Sequence, residues 1–431
     1  MRDVLPRAVL LALAALAAGG VPSAAGAPYG LGPQTLVSGP SPFAGCTVGS
    51  AGADSIVYTD TEVEPQVAVN PTELSNVIGS FQQDRWSDGG ARGLVAARSF
   101  DGGSSWARNF APFSACSGGA PEYRRATDPW VSFDRSGRAY QISLSIDSAE
   151  LGLSAVLAST SANGGASWSA PKTIIRDEDP LNFNDKESIT GDPTRASTAY
   201  ATWIRGAFPS ENPSLSGQAH AFSYRGQPMF SRTADGGQTW SAPVPMTNQN
   251  IYAQGNQIAV LPDGTLVRSG PVAIDRTPGR HAFNHAVTVT ADGTVAVLYY
   301  DFRNNTPAAG LPTDVWLTHS TDGGATWEEQ HVTGPFDMKL APVARGWFLG
   351  DYQGLEPIGD DLLAFFATTQ GAGERLVGAR RALIAVHATR RRLCAQRSSF
   401  SGGGDPAYDA RRATPARRRA ARTPRRCRDR G

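Results

Sequence analysis

Guanidinium groups, carboxylates and one phenol recur at loop-like positions along this chain. Arg85, Arg92, Arg124, Arg125, Lys186, Arg205, Arg225, Arg303 and Arg345 alternate with Glu64, Asp84, Asp128, Asp185, Glu187, Asp301 and Asp351, and Tyr352 follows the last of these. Several guanidinium groups together can clamp a carboxylate through paired hydrogen bonds. A carboxylic acid nearby can protonate a leaving oxygen, while a carboxylate or a tyrosine attacks the carbon left behind or stabilises its cation. These residue types, gathered in one mouth, suit an anionic sugar. They are also the residue types of ordinary salt bridges between loops, so the elements that carry them decide between the two.

Other chemistries lack their residues. There is no G-x-S-x-G elbow, P-loop, G-x-G-x-x-G fingerprint or H-E-x-x-H. Six His are scattered, and only His281 and His285 lie near each other, in a segment that reads as strand.

Two repeats organise the chain. SFDGGSSW (99–106), TSANGGASW (160–168), RTADGGQTW (232–240) and HSTDGGATW (319–327) each place Asp or Asn before Gly-Gly, two residues and Trp. Such a box makes a tight turn: the side chain accepts backbone N–H bonds, the glycines take positive φ, and Trp covers the turn. A second repeat runs out of phase, with strands expected to begin at Glu64, Asp128, Asp185, Asn256, Asn284 and Gly350. Each is followed by a turn and a further β-run, and a third run leads into the box where one is present. The unit is a four-stranded antiparallel meander, A to D, with the box at the C–D turn. Repeated units of this kind predict an all-β fold, a β-propeller of about six blades. The interval of 28 residues from Asn256 to Asn284 is too short for a full blade of roughly 40–45 residues, so the fourth blade is expected to be incomplete.

In a meander the turns alternate between two faces. A–B turns and boxes share one; B–C loops, including 82–93, and D–A connections share the other. The nine basic residues named above are nine of the 21 Lys and Arg between residues 28 and 374, and all fall on the long-loop face. Positive charge therefore gathers locally on a body that is acidic overall.

The boxes resemble those of secreted bacterial sialidase-like propellers built from Asp-box (BNR) repeats, in which the box is structural. That resemblance implies an Arg triad, a Tyr activated by Glu, and an Asp acid/base. On this sequence Arg85, Arg303 and Arg345 would form the clamp, with Lys186 and Asp301 as further substrate-binding residues. Tyr352 would be the nucleophile, Asp128 or Asp185 the acid, and Glu64 or Glu187 the group activating the Tyr. The expected activity is that of an exo-α-sialidase-like glycoside hydrolase on terminal acidic sugars of glycans, the partner being a sialoglycan-like carbohydrate and the protein a monomer. The alternative is a non-catalytic propeller that binds glycan or protein at the same face. No cofactor is required, although the acids near the axis could instead hold a structural Ca²⁺.

The ends of the chain differ from its body. Residues 1–27 read as an export signal, with Arg2 and Arg7 flanking a short n-region, an apolar stretch at 8–18 and small residues at 23–27. Secretion makes the cysteines readable, and Cys46 and Cys116 are expected to form a disulfide. Residues 28–63 are expected to close the propeller formed by 64–388. The net charge of +1 is a cancellation: 1–374 carry −13 and 375–431 carry +14. An acidic body argues against nucleic-acid binding. No central run of apolar residues is long enough for a membrane span. Beyond residue 388 the chain is rich in Arg, Pro and Gly and is expected to be disordered.

Overall fold

Short runs of β-branched, aromatic and small residues, separated by Gly- and Asp-containing turns, fold here into antiparallel sheets. The computed structural model describes residues 29–49, 54–147, 152–207, 225–246, 256–258, 260, 281–322, 324–343, 346–369 and 381–390. The chain divides into two units, Met1–Arg391 and Arg392–Gly431. The second unit lies outside the described residues, as do the expected signal, Arg345, and most of the expected fourth blade. Of the expected tail, only Thr389 and Arg390 are described, ending a strand.

The first strand is β1 (Tyr29–Leu36). A first sheet follows from β2 (Val57–Val69), β3 (Val77–Trp86), β4 (Ala91–Ser99) and β5 (Ala107–Asn109), and a second from β6 (Arg125–Phe133), β7 (Ala139–Ile146), β8 (Ser154–Ser161) and β9 (Lys172–Asp177). One pair, Ala91 with Ala126, joins these two sheets. The third contains β10 (Asn182–Gly191), β11 (Ala199–Ala207), β12 (Arg225–Thr233) and β13 (Val244–Pro245). Another comprises β14 (Ala282–Val289), β15 (Val295–Asp301), β16 (Pro312–Ser320) and β17 (Glu328–Asp337). In the last, β18 (Gly354–Ile358), β19 (Asp361–Thr369) and β20 (Arg381–Arg390) are completed by β1, which pairs antiparallel with β20. Among the described residues there is no α-helix, and no helix long and apolar enough to cross a membrane.

The box turns show how the sequence makes these sheets. In the first, Ser105 N–H donates to Asp101 Oδ1 at 2.8 Å and Trp106 Nε1 donates to the Gly103 carbonyl at 2.9 Å. Gly102 and Gly103 take φ of 71° and 93°. The same main-chain bond recurs at Asn163, Asp235 and Asp322. A hydroxyl two residues earlier adds a second clasp: Ser99, Ser161, Thr233 and Ser320 each accept the N–H of the second glycine.

Apolar residues fill the spaces between sheets. Val67, Phe81, Leu298, Phe365 and Phe366 share one cluster, and Tyr140, Ile142, Ile189 and Trp203 share another. Fully burying one such Phe contributes about 1.5–3 kcal/mol. Gly79 is needed for this packing, because a Cβ there would lie 2.4 Å from Phe365 Cζ.

Two expectations change. The first strands of four sheets do not start at Glu64, Asp128, Asp185 and Asn284 but two to seven residues earlier, at Val57, Arg125, Asn182 and Ala282. What reads as a strand start is a bulge within the strand: Glu64, Asp128, Lys186 and Asn284 have φ of 55°, 52°, 54° and 48°, and the pairing register slips at each. Residues 82–93 are not one long loop, for Gln82–Trp86 continue β3. The polar run there is buried with partners, Gln82 on Glu64, Gln83 on Glu62 and Asp84 on Ser41.

Candidate active site

A β-bulge turns a side chain out of the strand's alternation and increases the local bend. Here it recurs in the first strand of four sheets, and it places Glu64, Asp128 and Lys186 in one well. Non-glycine residues held at positive φ cost of order 1–3 kcal/mol each and tend to mark functional positions.

The well is built around Asp128, which is 3% exposed. Its Oδ1 accepts Thr127 Oγ1–H at 2.9 Å and its Oδ2 accepts the Lys186 N–H at 3.1 Å. Gln82 Nε2 donates both to Thr127 Oγ1 at 2.6 Å and to Glu64 Oε2, and Gln82 Oε1 accepts Arg85 NH1 at 2.7 Å. Arg85 in turn lies 4.7 Å over the Phe348 ring. Lys186 Nζ pairs with Asp351 and stands 4.0 Å from Asp128 Oδ2.

The segment carrying Asp351 and Tyr352 is fixed by two of the bulges. Glu64 N–H donates to the Leu349 carbonyl, and Asn284 Nδ2 donates to the Gly350 carbonyl. Gly350, at φ +122°, passes so close that a Cβ would lie 2.6 Å from Glu64 N. Tyr352 then packs on Trp130 with ring centroids 5.3 Å apart.

Electrostatics sorts these acids. Burial opposes charge on Asp128, but Lys186, the Glu64 and Thr127 hydrogen bonds and Arg85 outweigh it and hold this carboxyl below the ordinary aspartate range. Its neighbours go the other way. Burial and then the Asp128 charge push Glu64 and Glu187 well up. Burial, with Asp128 working against Lys186, raises Asp185 to about 7. Burial lowers Lys186, yet the surrounding carboxylates prevail and keep it charged. The Tyr352 phenol is pushed up by burial and by Glu64, Asp128, Glu187 and Asp351. Of Glu64, Asp128, Asp185 and Glu187, Asp128 alone is thus lowered by its surroundings, and the other three are raised.

Two cavities open on this cluster. One of about 240 Å³ is lined by Glu64, Arg85, Asp128, Asp185 and Phe348; another of about 430 Å³ by Trp130, Glu187, Asn284, His285 and Tyr352. Lys186 and Asp351 line both. Glu187 is 2% exposed and neither of its carboxyl oxygens meets a side-chain donor, and the buried Tyr352 hydroxyl also has no hydrogen-bond partner. Among the described residues no group of three or more His, Cys, Asp or Glu is arranged to hold a metal ion; the ammonium of Lys186 stands among the acids.

Of the residues singled out from sequence, Glu64, Arg85, Asp128, Asp185, Lys186, Glu187 and Tyr352 come together, with Asp351. Arg303 and Asp301 do not join them. Arg303 is bound by Asp301 and by both oxygens of Glu329, and it stacks 3.6 Å from the Trp316 ring centroid. A guanidinium so engaged is not a free clamp. Arg345 lies outside the described residues. Arg92, Arg125 and Arg205 are tied to Asp84, Asp88 and Asp177. Away from the well, Cys46 and Cys116 form a disulfide with Cα atoms 5.7 Å apart. Sequence reasoning missed Gln82, Thr127, Trp130, Phe348 and Asn284. The signal for Gln82 was the polar run Gln82–Arg85 following directly on the apolar-rich start of β3.

No protein-family model matches the sequence, and no curated protein matches it. Among solved structures the chain is similar to the Hadza microbial sialidase Hz136, at 14% identity and a TM-score of 0.43 over 77% of this chain and 66% of that one. It is also similar to the Penicillium chrysogenum α-L-arabinanase, at 12% identity and a TM-score of 0.40 over 83% and 98%. The GH93 α-L-arabinofuranosidase of Fusarium graminearum gives 11% identity and a TM-score of 0.38 over 83% and 98%. At these identities none of them assigns an activity to this chain.

Proposed function

We propose that the sheets are blades of a β-propeller of about six blades with the fourth incomplete, and that the well among their innermost strands cleaves glycosidic bonds of an extracellular glycan. One arrangement carries the catalytic reading: in a single buried cluster the surroundings hold Asp128 below the ordinary aspartate range and raise its neighbours Glu64 and Asp185 above theirs. Environments that push neighbouring carboxyls apart in this way divide them into acid and base roles. Asp185 is the acid that protonates the leaving oxygen. Asp128 supplies the negative charge that faces the positive charge developing at the anomeric carbon, and water then adds to that carbon, giving its proton to the Asp185 carboxylate left by the first transfer. Tyr352, surrounded by carboxylates, keeps its proton and serves as a wall and hydrogen-bonding group. Side chains alone supply this chemistry.

The finer reading, a sialidase-like action on terminal acidic sugars, is supported by Arg85. No carboxylate stands within ion-pair distance of it among the described residues, and it lines the smaller cavity. The test is turnover of a panel of fluorogenic glycosides, sialosides, uronides and arabinofuranosides, by the full chain and by Asp128→Asn and Asp185→Asn. Turnover that falls at least about a hundredfold in both variants supports the reading. Binding of glycans without turnover of any panel member would replace it with the non-catalytic alternative.

A further inference from the structure

We propose that Asp351 occupies the position of a ligand carboxylate, so that an acidic sugar binds by displacing Asp351 from Lys186 and lodging between Lys186 and Arg85. The inference rests on reading the well as a sugar site, and it names the substrate class and the contact that selects it.

Three observations carry it. First, Lys186 and Arg85 both line the 240 Å³ cavity, and Asp351 lines it with them. Lys186 is the deeper partner of the pair, its side chain 19% exposed against 46% for Asp351. A displaced Asp351 carboxylate needs little movement to be hydrated, whereas Lys186 cannot follow it to solvent. Exchange therefore favours a new anion coming to Lys186 over the cation leaving.

Second, Arg85 is a buried cation with spare capacity. It is 9% exposed, its NH1 reaches Gln82 Oε1 and Thr127 Oγ1, and its Nε is buried without a partner. A ligand carboxylate in the cavity that Arg85 lines would meet a guanidinium held in place by Phe348 and Gln82.

Third, the charges balance for one exchange. The Lys186–Asp351 salt bridge sets one carboxylate against one ammonium, with Asp128 Oδ2 4.0 Å from the same nitrogen. Replacing Asp351 by one ligand carboxylate keeps that balance, and adding a carboxylate without releasing Asp351 does not. No bond is made or broken in the exchange.

The experiment measures binding, not turnover, by calorimetry on the full chain. The probes are N-acetylneuraminic acid and glucuronic acid, each beside its own methyl ester. Asp351→Asn, which removes the competing anion at a half-exposed position, should tighten the free acids by about tenfold and leave the esters unchanged. Lys186→Met should remove the preference for acid over ester, and Lys186→Arg should restore part of it. Equal effects on acid and ester, or no binding of either acid to Asp351→Asn, would overturn the proposal. Turnover of neutral glycosides with no acid preference would leave the hydrolase reading intact and remove this one. Acid-selective exchange without turnover of any glycoside would do the reverse.

Discussion

Thr127 Oγ1 donates its proton to Asp128 Oδ1 at 2.9 Å while accepting one from Gln82 Nε2 at 2.6 Å. The hydroxyl is therefore oriented, and it can only favour the ionised form of Asp128. Thr127→Val keeps the shape and removes the bond. The expected result is a higher pKa at Asp128, read as a shift of the acidic limb of the pH–rate profile toward neutrality. An unshifted acidic limb would show that the hydroxyl does not tune Asp128.

On the proposed assignment the alkaline limb belongs to Asp185. Its carboxyl is raised to about 7, so as pH rises through that value the proton needed for the leaving oxygen is lost and activity falls. Asp185→Asn should cost about 10²–10⁴-fold on alkyl glycosides and much less on glycosides with a nitrophenolate leaving group, which needs no proton. Equal losses on both substrates would assign Asp185 another role.

Gly350 tests the placement of Asp351 and Tyr352. A Cβ at this position would lie 2.6 Å from Glu64 N, and φ is +122°. Gly350→Ala should therefore displace the segment. Binding in the well is expected to be lost while the melting transition stays cooperative, since the sheets do not depend on that contact. Unchanged binding would show that the segment is not positioned there.

The box turns make a stability prediction. Gly165 has φ +85° and a Cβ would lie 2.8 Å from Ile78 Cδ1. Gly165→Ala should destabilise by about 1–3 kcal/mol in denaturant unfolding. The box carboxylates add an acid dependence. Hydrogen bonds from Ser105, Ser99 and the Ser105 backbone lower Asp101 to about 2, and Asp235 and Asp322 are lowered to about 2 by their own turn hydroxyls and N–H groups. Each contributes stability that is complete above the ordinary aspartate value and is lost as pH falls toward about 2. Asp→Asn variants at these three positions should flatten stability against pH in that window.

The disulfide ties residues 70 apart in sequence. Replacing both cysteines by serine should lower stability by about 2–4 kcal/mol, read from the urea midpoint.

The antiparallel units and their turns were legible because box chemistry is local: Asp101, two glycines and Trp106 bond within eight residues. The hydroxyl clasp was equally local, and Ser99 stood in plain view. The site was half legible. Glu64 and Asp128 were recognised as positions of interest because a residue at a bulge resembles one at a turn. Gln82 escaped because a polar run inside a strand looks like a loop until Glu64 and Thr127 are seen beside it. Arg303 was misplaced for a related reason. Topology puts it on a B–C loop, but Glu329, which binds it, comes from β17, and pairing across strands cannot be read from spacing.

The pairing of β1 with β20 has a temporal consequence. A ribosome delivers Tyr29 long before Arg390, its partner across the sheet. The strand made first is thus paired last, and every intermediate sheet must form while the edge of β19 and β20 waits or while β1 stays unpaired. Contacts so distant in sequence are slow to close, and an unpaired edge attracts other chains meanwhile. Completion of the last sheet therefore waits for β20 to be made, and the nascent chain is most vulnerable to aggregation just before it.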